Sequence, residues 1–370
     1  MTGDDSAPAS LGANGYIARR VGVDQCSLAK WSAYIARQPG ATIYHDIVWR
    51  DIFSESLKYR SIYIMAEDAL GRVRGILPLF VVPGIVGKSR LVAIPFRDRG
   101  GIVADTQEAF VVLVDAARTA MESERAAYTE IKTIEPYTDD LVTRTTLRRL
   151  EHWQHSRVDL RPLSPATLHQ AVRHNMRQIR RGIRAGLEFS DITAEPEAVR
   201  RWYQIYQRSQ RNLGLPSFPQ SFFEAMLCLL LPKQAIKLFI VTTGKGDAVA
   251  ATIILFDRQT AIYAYSASQP EYRSIRPNDF MLYKLYIWLI EGGFRTFDMG
   301  SDAPTQDGLL RFKRKWLADQ RPISFYYLGA GNPTITDSSA KQYSILRHVM
   351  QWMPLELSRI FISPMLRYFG

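Results

Sequence analysis

The sequence predicts an α/β protein made of two copies of one unit, each a mixed sheet flanked by helices. Three observations carry that reading. The chain has 370 residues, 46% of them hydrophobic, enough for two domain-sized cores. A strand–turn–strand pattern occurs twice, at 61–82 and at 237–256. Setting Val73 on Val249, Gly75 on Ala251 and Leu79 on Leu255 gives one constant offset of 176 residues. Each hairpin also follows an apolar helical stretch, 46–57 before the first and 219–231 before the second. A shared helix–hairpin order at a domain-sized spacing is what a duplicated α/β unit leaves in a sequence.

In chain order, residues 1–15 read as a flexible tail rich in Gly, Ala and Ser, and 16–160 as the first domain. The acidic start, Met1-Thr-Gly-Asp-Asp-Ser, lacks the basic region and apolar run of a signal peptide. The second domain, 161–330, continues past its hairpin with a β-rich run at 261–268. A helix over 277–292 then opens on proline and stops on Gly-Gly. A short strand at 295–300 ends in glycine, a short basic helix covers 308–316, and a closing strand covers 323–328. Residues 331–370 read as an amphipathic helical tail. There Ile345, Leu346, Val349, Met350, Trp352 and Met353 share a face, with Lys341, Arg347, Arg359 and Arg367 around it.

No uncharged apolar stretch reaches the ~20 residues that a membrane helix needs, since 75–87 is broken by Pro78, Pro83 and Gly84. Cys26 and Cys228 cannot build a disulfide framework. These points predict a cytoplasmic protein, with the tail as a peripheral contact at the inner face of the cell membrane.

Lysine plus arginine number 47 against 36 acids, a net charge of +11. That excess favours an anionic partner: nucleic acid, a phosphorylated small molecule or an anionic membrane surface. It is sharpest on a helix predicted over 173–186, where Arg173, Arg177, Arg180, Arg181 and Arg184 recur at intervals of three and four and no acid interrupts. Such a stripe suits phosphate groups.

Several other motifs lead nowhere. Gly87-Lys88-Ser89 ends like a phosphate loop, but Val82 stands where its first glycine belongs. Arg211-Asn-Leu-Gly214-Leu-Pro216 approximates the pyrophosphate loop of simple N-acetyltransferases, yet Pro216 removes a backbone donor. His152-Trp-Gln-His155 has helical metal spacing without a third ligand, so no metal site is predicted. No Gly-x-Ser-x-Gly elbow is present.

Residues 263–316 are dense in chemistry. Tyr265, Ser268, Tyr272, Arg276, Asn278 and Asp279 crowd a strand-to-helix junction; Asp298-Met-Gly-Ser301 ends the next strand; Phe312-Lys313-x-x-Trp316 follows. A desolvated Lys313 ammonium suits negative charge building on an attacked ester carbonyl. Asp298 suits a substrate amine, orienting it or accepting its proton.

Taken together, these stretches resemble the FemAB-like family of tandem N-acetyltransferase-type (GNAT) proteins that extend peptidoglycan precursors. Its BioF2-like and cellulose-biosynthesis (CelD-type) relatives, and acyltransferases tied to exopolysaccharide and PEP-CTERM sorting systems, share the likeness. The residues that carry it run in family order: Leu77-Pro-Leu-Phe, Ala93-Ile-Pro-Phe with Gly100-Gly-Ile, Arg173-x3-Arg177-x-x-Arg180, Arg211-Asn-Leu-Gly-Leu-Pro with Phe222-Phe223, Tyr265-x-Ala-Ser, Arg276-Pro-Asn-Asp, Phe297-Asp-Met-Gly-Ser and Gly308-Leu-x-x-Phe-Lys-x-x-Trp. The resemblance implies an acyl- or aminoacyltransferase that forms an amide on an amine of a cell-envelope precursor.

It further implies Lys313 and Asp298 as catalytic residues. Substrate would be bound by Arg173, Arg177, Arg180, Arg184, Tyr265, Ser268, Arg276, Asn278, Asp279, Ser301, Phe312 and Trp316. No cofactor would be tightly held; the co-substrate would be acyl-CoA or aminoacyl-tRNA, and the acceptor a phosphate-bearing or lipid-linked glycan precursor. Two departures favour the exopolysaccharide branch over transfer-RNA use. Leu317 follows Trp316 where the family often has glycine, and the coiled-coil arm of tRNA-dependent members is missing. Two alternatives stand beside this reading: a non-catalytic binding module for anionic glycan precursors or tRNA, and an acetyl-CoA-dependent N-acetyltransferase.

Overall fold

A computed structural model describes residues 15–84, 87–329, 351–352 and 363–370. The helical face expected over 345–353 lies outside these residues except for Trp352, which is exposed. The described chain falls into two units.

The first unit takes in the chain up to His152, with 323–329 and Arg367–Gly370. Its elements are β1 (Ile17–Arg20), α1 (Gln25–Arg37), α2 (Val48–Leu57), β2 (Arg60–Glu67), β3 (Val73–Val82), β4 (Arg90–Val92), β5 (Val103–Ala104), α3 (Gln107–Ser123), β6 (Thr129–Thr133), α4 (Asp139–Thr145) and the start of β7 (Arg148–Asp159). The second takes in Trp153–Pro322, with 351–352 and 363–366. It holds the rest of β7, then α5 (Pro165–Ala171), α6 (Met176–Arg184), β8 (Glu188–Asp191), α7 (Ala198–Leu213), α8 (Gln220–Leu230), β9 (Ile236–Thr242), β10 (Ala248–Asp257), β11 (Thr260–Ser268), α9 (Pro277–Glu291), β12 (Thr296–Asp302), α10 (Asp307–Lys315) and the start of β13 (Asp319–Leu328).

The duplication extends to single turns. β2 and β9 begin 176 residues apart, the offset read from the sequence. In the β2–β3 turn the Asp68 carboxylate accepts from the backbone N–H of Leu70 and of Arg72, and Gly71 takes φ +70°. In the β9–β10 turn the Thr243 hydroxyl accepts from Lys245 and Asp247, and Gly246 takes φ +88°. A short side-chain acceptor followed by a left-handed glycine closes both hairpins.

The units also share a strand order. In the first the order is β1-β2-β3-β4-β6-β13, and in the second β8-β9-β10-β11-β12-β7. Every neighbouring pair is antiparallel except β4–β6 and β11–β12. The last strand of each sequence repeat therefore completes the other unit's sheet, and the units are not contiguous in the chain.

Both hairpins are buried along nearly their whole length because helices cover them. In the first unit Phe110, Leu113, Val114 and Ala117 of α3 pack with Ile62, Ile64, Leu77 and Leu79. In the second, Leu282, Leu285, Tyr286 and Leu289 of α9 pack with Phe239, Ile254, Phe297 and Trp316. Among the described residues no helix is long and apolar enough to cross a membrane.

Candidate active site

The second unit's parallel pair is short. Thr260, Ala261 and Ile262 of β11 pair with Thr296, Phe297 and Asp298 of β12, and the pairing stops there although both strands run on. On its other side β12 pairs with β7, and the register shifts between Asp298 and Ser301. Gly300 supplies φ +73° inside this bulge, a conformation that costs glycine nothing.

Four charged or titratable side chains meet at the bulge, all nearly buried: Asp298 at 1% exposure, His155 at 2%, Asp302 and Lys313 at 6%. Lys313 reaches in from α10. Its Nζ lies 2.6 Å from Asp302 Oδ2 and donates to the Gly300 carbonyl at 3.3 Å. The Gly300 N–H donates to Asp298 Oδ1 at 2.8 Å. Asp298 Oδ2 faces His155 Nε2 at 3.4 Å, and His155 Nδ1 is 3.2 Å from the half-buried Ser301 hydroxyl. A buried ammonium is tolerated because a carboxylate lies against it and a carbonyl accepts from it.

Of the expected residues, the structure gathers Lys313, Asp298 and Ser301 at the bulge. His155 was missed, because its motif was read at helical spacing. It lies instead on β7, where Ser301 is its register partner.

A second group forms at the start of α9. Asn278 Nδ2 donates to the Ser268 hydroxyl at 3.0 Å. Arg276, at φ +58°, precedes the helix. Burial pushes the Asp279 carboxyl up, opposed by Arg276, Lys315 and Trp316.

The arginine stripe forms a third group. The expected single helix over 173–186 is a 3-10 turn, Arg173–Asn175, joined to α6. Arg173, Arg177, Arg180 and Arg184 nevertheless line one cleft of about 550 Å³, with His169, Gln170 and Met176. The opposite face of α6 is fixed by Ile179 and by Gly182, where a Cβ would come within 2.7 Å of Phe280 Cβ. Among the described residues none of these four arginines forms an ion pair. Asn175 Nδ2 donates to the Lys315 carbonyl at 3.0 Å, tying the start of the stripe to the end of the helix that carries Lys313.

The remaining candidates are packing residues here. Trp316 has no exposed surface; its ring lies 5.5 Å from that of Tyr286, whose hydroxyl donates to the Trp316 carbonyl. Phe312 is partly buried against the same core. Tyr265 stands edge-on among Trp202, Phe222 and Phe223. The loop after Arg211 caps α7 through Gly214 at φ +65°. Leu317, where glycine was expected, keeps the backbone a glycine would take, φ +68°.

Residues 170–314 match the family model of an acetyltransferase (GNAT) domain. No curated protein matches the chain. Among solved structures it is similar to FemX, with a TM-score of 0.64 at 15% identity over 83% of this chain and 96% of that one. It is also similar to the C-terminal domain of a putative lysylphosphatidylglycerol synthetase from Agrobacterium fabrum, with a TM-score of 0.57 at 13% identity over 82% and 92%. A tandem GNAT protein from the clavulanic acid biosynthesis pathway gives 0.54 at 12% identity over 86% and 100%. At such identities the likeness is one of fold. The chain has a tandem GNAT-type α/β fold, and its second unit contains the stretch that matches the acetyltransferase domain.

Proposed function

We propose that the chain is an N-acyltransferase that joins an acyl or aminoacyl group to an amine of a cell-envelope precursor. One observation carries the reading: a buried lysine, held by Asp302 and the Gly300 carbonyl, beside the point where β11 and β12 cease to pair. Ligands of open α/β sheets bind off the ends of such strands. The two contacts of Lys313 leave one ammonium proton for the carbonyl oxygen of an acyl donor. As the amine adds, negative charge grows on that oxygen, and a preorganised cation in a dry site stabilises it strongly. Asp302 keeps the ammonium aimed.

The acetyltransferase-domain match supports the reaction class. The fold likeness to FemX and to a lysylphosphatidylglycerol synthetase supports an envelope acceptor, peptidoglycan- or exopolysaccharide-linked, and an aminoacyl or acyl-CoA donor. The arginine cleft supports phosphate groups on donor or acceptor. The tail, on this reading, meets the membrane surface and brings a lipid-linked acceptor within reach.

The test is product formation. Acetyl-CoA and aminoacyl-tRNA are each offered with a UDP-linked amino sugar and with a lipid-linked muropeptide, and new amides are sought by mass spectrometry. One pair should give product, and Lys313→Ala should cut its rate by about 100-fold or more while acceptor binding persists. An unchanged rate in that variant removes Lys313 from the chemistry. Acceptor binding without product from any pair favours the binding-module reading, which rests on the arginine cleft.

A further inference from the structure

We infer that His155 is the proton acceptor of this site, reached through the Ser301 hydroxyl and held in place by Asp298; the inference rests on the acyltransferase reading. An amine that adds to a carbonyl becomes an ammonium and must lose a proton before the product is an amide. Asp298 is poorly placed to take it directly. It is almost fully buried, with one oxygen on the Gly300 N–H and the other facing His155.

The next link outward is His155, also buried, and the link after it is Ser301, which retains exposed surface. Carboxylate, imidazole and hydroxyl thus form one chain from the interior toward the bulge, with separations of 3.4 and 3.2 Å. A base within reach of a hydroxyl, oriented by a third group, is the arrangement that moves protons in acyl transfer. Lys313 stands at Gly300, the residue before Ser301. The group that stabilises the oxyanion and the entry to the proton path are therefore adjacent.

The step balances. The N–C bond forms and the ammonium passes one proton to the Ser301 oxygen as the Ser301 hydroxyl proton moves to His155 Nδ1. The imidazolium beside the Asp298 carboxylate then returns a proton, by the same path, to the donor's leaving sulfur or oxygen as the C–S or C–O bond breaks. Serine, histidine and aspartate end as they began. The direction requires a neutral ring with Nε2–H toward Asp298 and a bare Nδ1 toward Ser301.

Two measurements on the full chain test this. The first is the ¹⁵N spectrum of the histidine rings, with His155 assigned by His155→Gln. An Nε2–H tautomer is expected; an Nδ1–H tautomer overturns the inference, since that ring has nothing with which to accept from Ser301. The second compares two acceptors with the donor that supports transfer: an alkylamine, which must shed a proton, and hydroxylamine, which enters unprotonated and forms a more acidic adduct.

His155→Gln should slow the alkylamine reaction by about 100-fold and the hydroxylamine reaction by far less. Ser301→Ala, a milder change at a half-buried position, should show the same selectivity. Equal losses with both amines overturn the relay while leaving the acyltransferase reading in place. A wild-type chain that transfers to no acceptor from any donor removes that reading, and the relay with it.

Discussion

The two units build the same sheet from the same order of elements, yet they fill corresponding positions differently. In each, a residue at positive φ stands two positions before the last strand: Thr146 before β7 and Leu317 before β13. Counting back from these residues, Lys313 corresponds to Val142, which packs against the first unit's apolar core. Asp298, third in β12, corresponds to Ile131, third in β6 and fully buried among apolar side chains. β6 pairs with β13 over five residues without a shift, whereas β12 breaks register against β7 beside Asp298.

Each unit also buries a histidine. His45 accepts from the Thr42 N–H at 3.0 Å and donates to the Gly101 carbonyl at 2.9 Å, so both its nitrogens serve backbone. His155 faces a carboxylate and a hydroxyl instead. The first unit's histidine is thus satisfied by backbone, whereas the second unit's stands in a cluster of buried titratable groups. Buried ion pairs are weak stabilisers, and the deeply buried Lys313–Asp302 pair lies beside the bulge, which points to chemistry there.

The largest effect that sharpens this contrast is on folding. Lys313→Ala leaves the Asp302 carboxylate buried without its cation and should cost about 3 kcal/mol or more in urea denaturation. Lys313→Met with Asp302→Leu should recover most of it. A double variant no more stable than the single one breaks the comparison, because it would make the pair a structural necessity.

The next effect belongs to His45. Burial pushes its imidazole down to about 4, despite hydrogen bonds to Gly101 and Thr42 that oppose the shift. An unfolded histidine takes a proton near pH 6.5. Between those values the unfolded chain binds more protons, so stability falls as pH drops from about 6.5 to 4, by about 3 kcal/mol in all. His45→Asn should flatten that part of the acid limb, and an unaltered slope would contradict the assignment.

A smaller change is expected in the cleft. Arg177→Glu with Arg180→Glu should weaken inorganic pyrophosphate or tRNA binding by about tenfold and shift the unfolding midpoint little. Lost folding with retained affinity per folded molecule would count against a binding role. The smallest effect is at a helix end. Lys58 caps α2 at φ +58° and is exposed, so Lys58→Gly should stabilise by about 1 kcal/mol. Destabilisation there would mean that its side chain contributes contacts.

Much of the fold was legible because repetition survives in local chemistry. Alternating apolar runs, a hairpin turn with its acceptor and glycine, and Pro and Gly-Gly at the ends of α9 are all short-range signals. The arginine cleft was legible for the same reason: spacings of three and four keep four guanidinium groups on one face even across the 3-10 join. The exchange of last strands was not, since a period of two marks a strand without naming its partner. Losing that pairing hid His155, which lies 146 residues before Ser301 and meets it only through β7–β12 register. The surroundings of Trp316 are hidden for a different reason. An aromatic beside a lysine looks alike in sequence whether it lines a ligand or, as here, fills a core.

The most direct test of the central claim is the transfer rate of the Lys313→Met, Asp302→Leu double variant, compared with wild type at equal folded concentration. The account predicts a cooperatively folded chain that still binds its acceptor and forms amide at least about 100-fold more slowly. A folded double variant that transfers at the wild-type rate would contradict it.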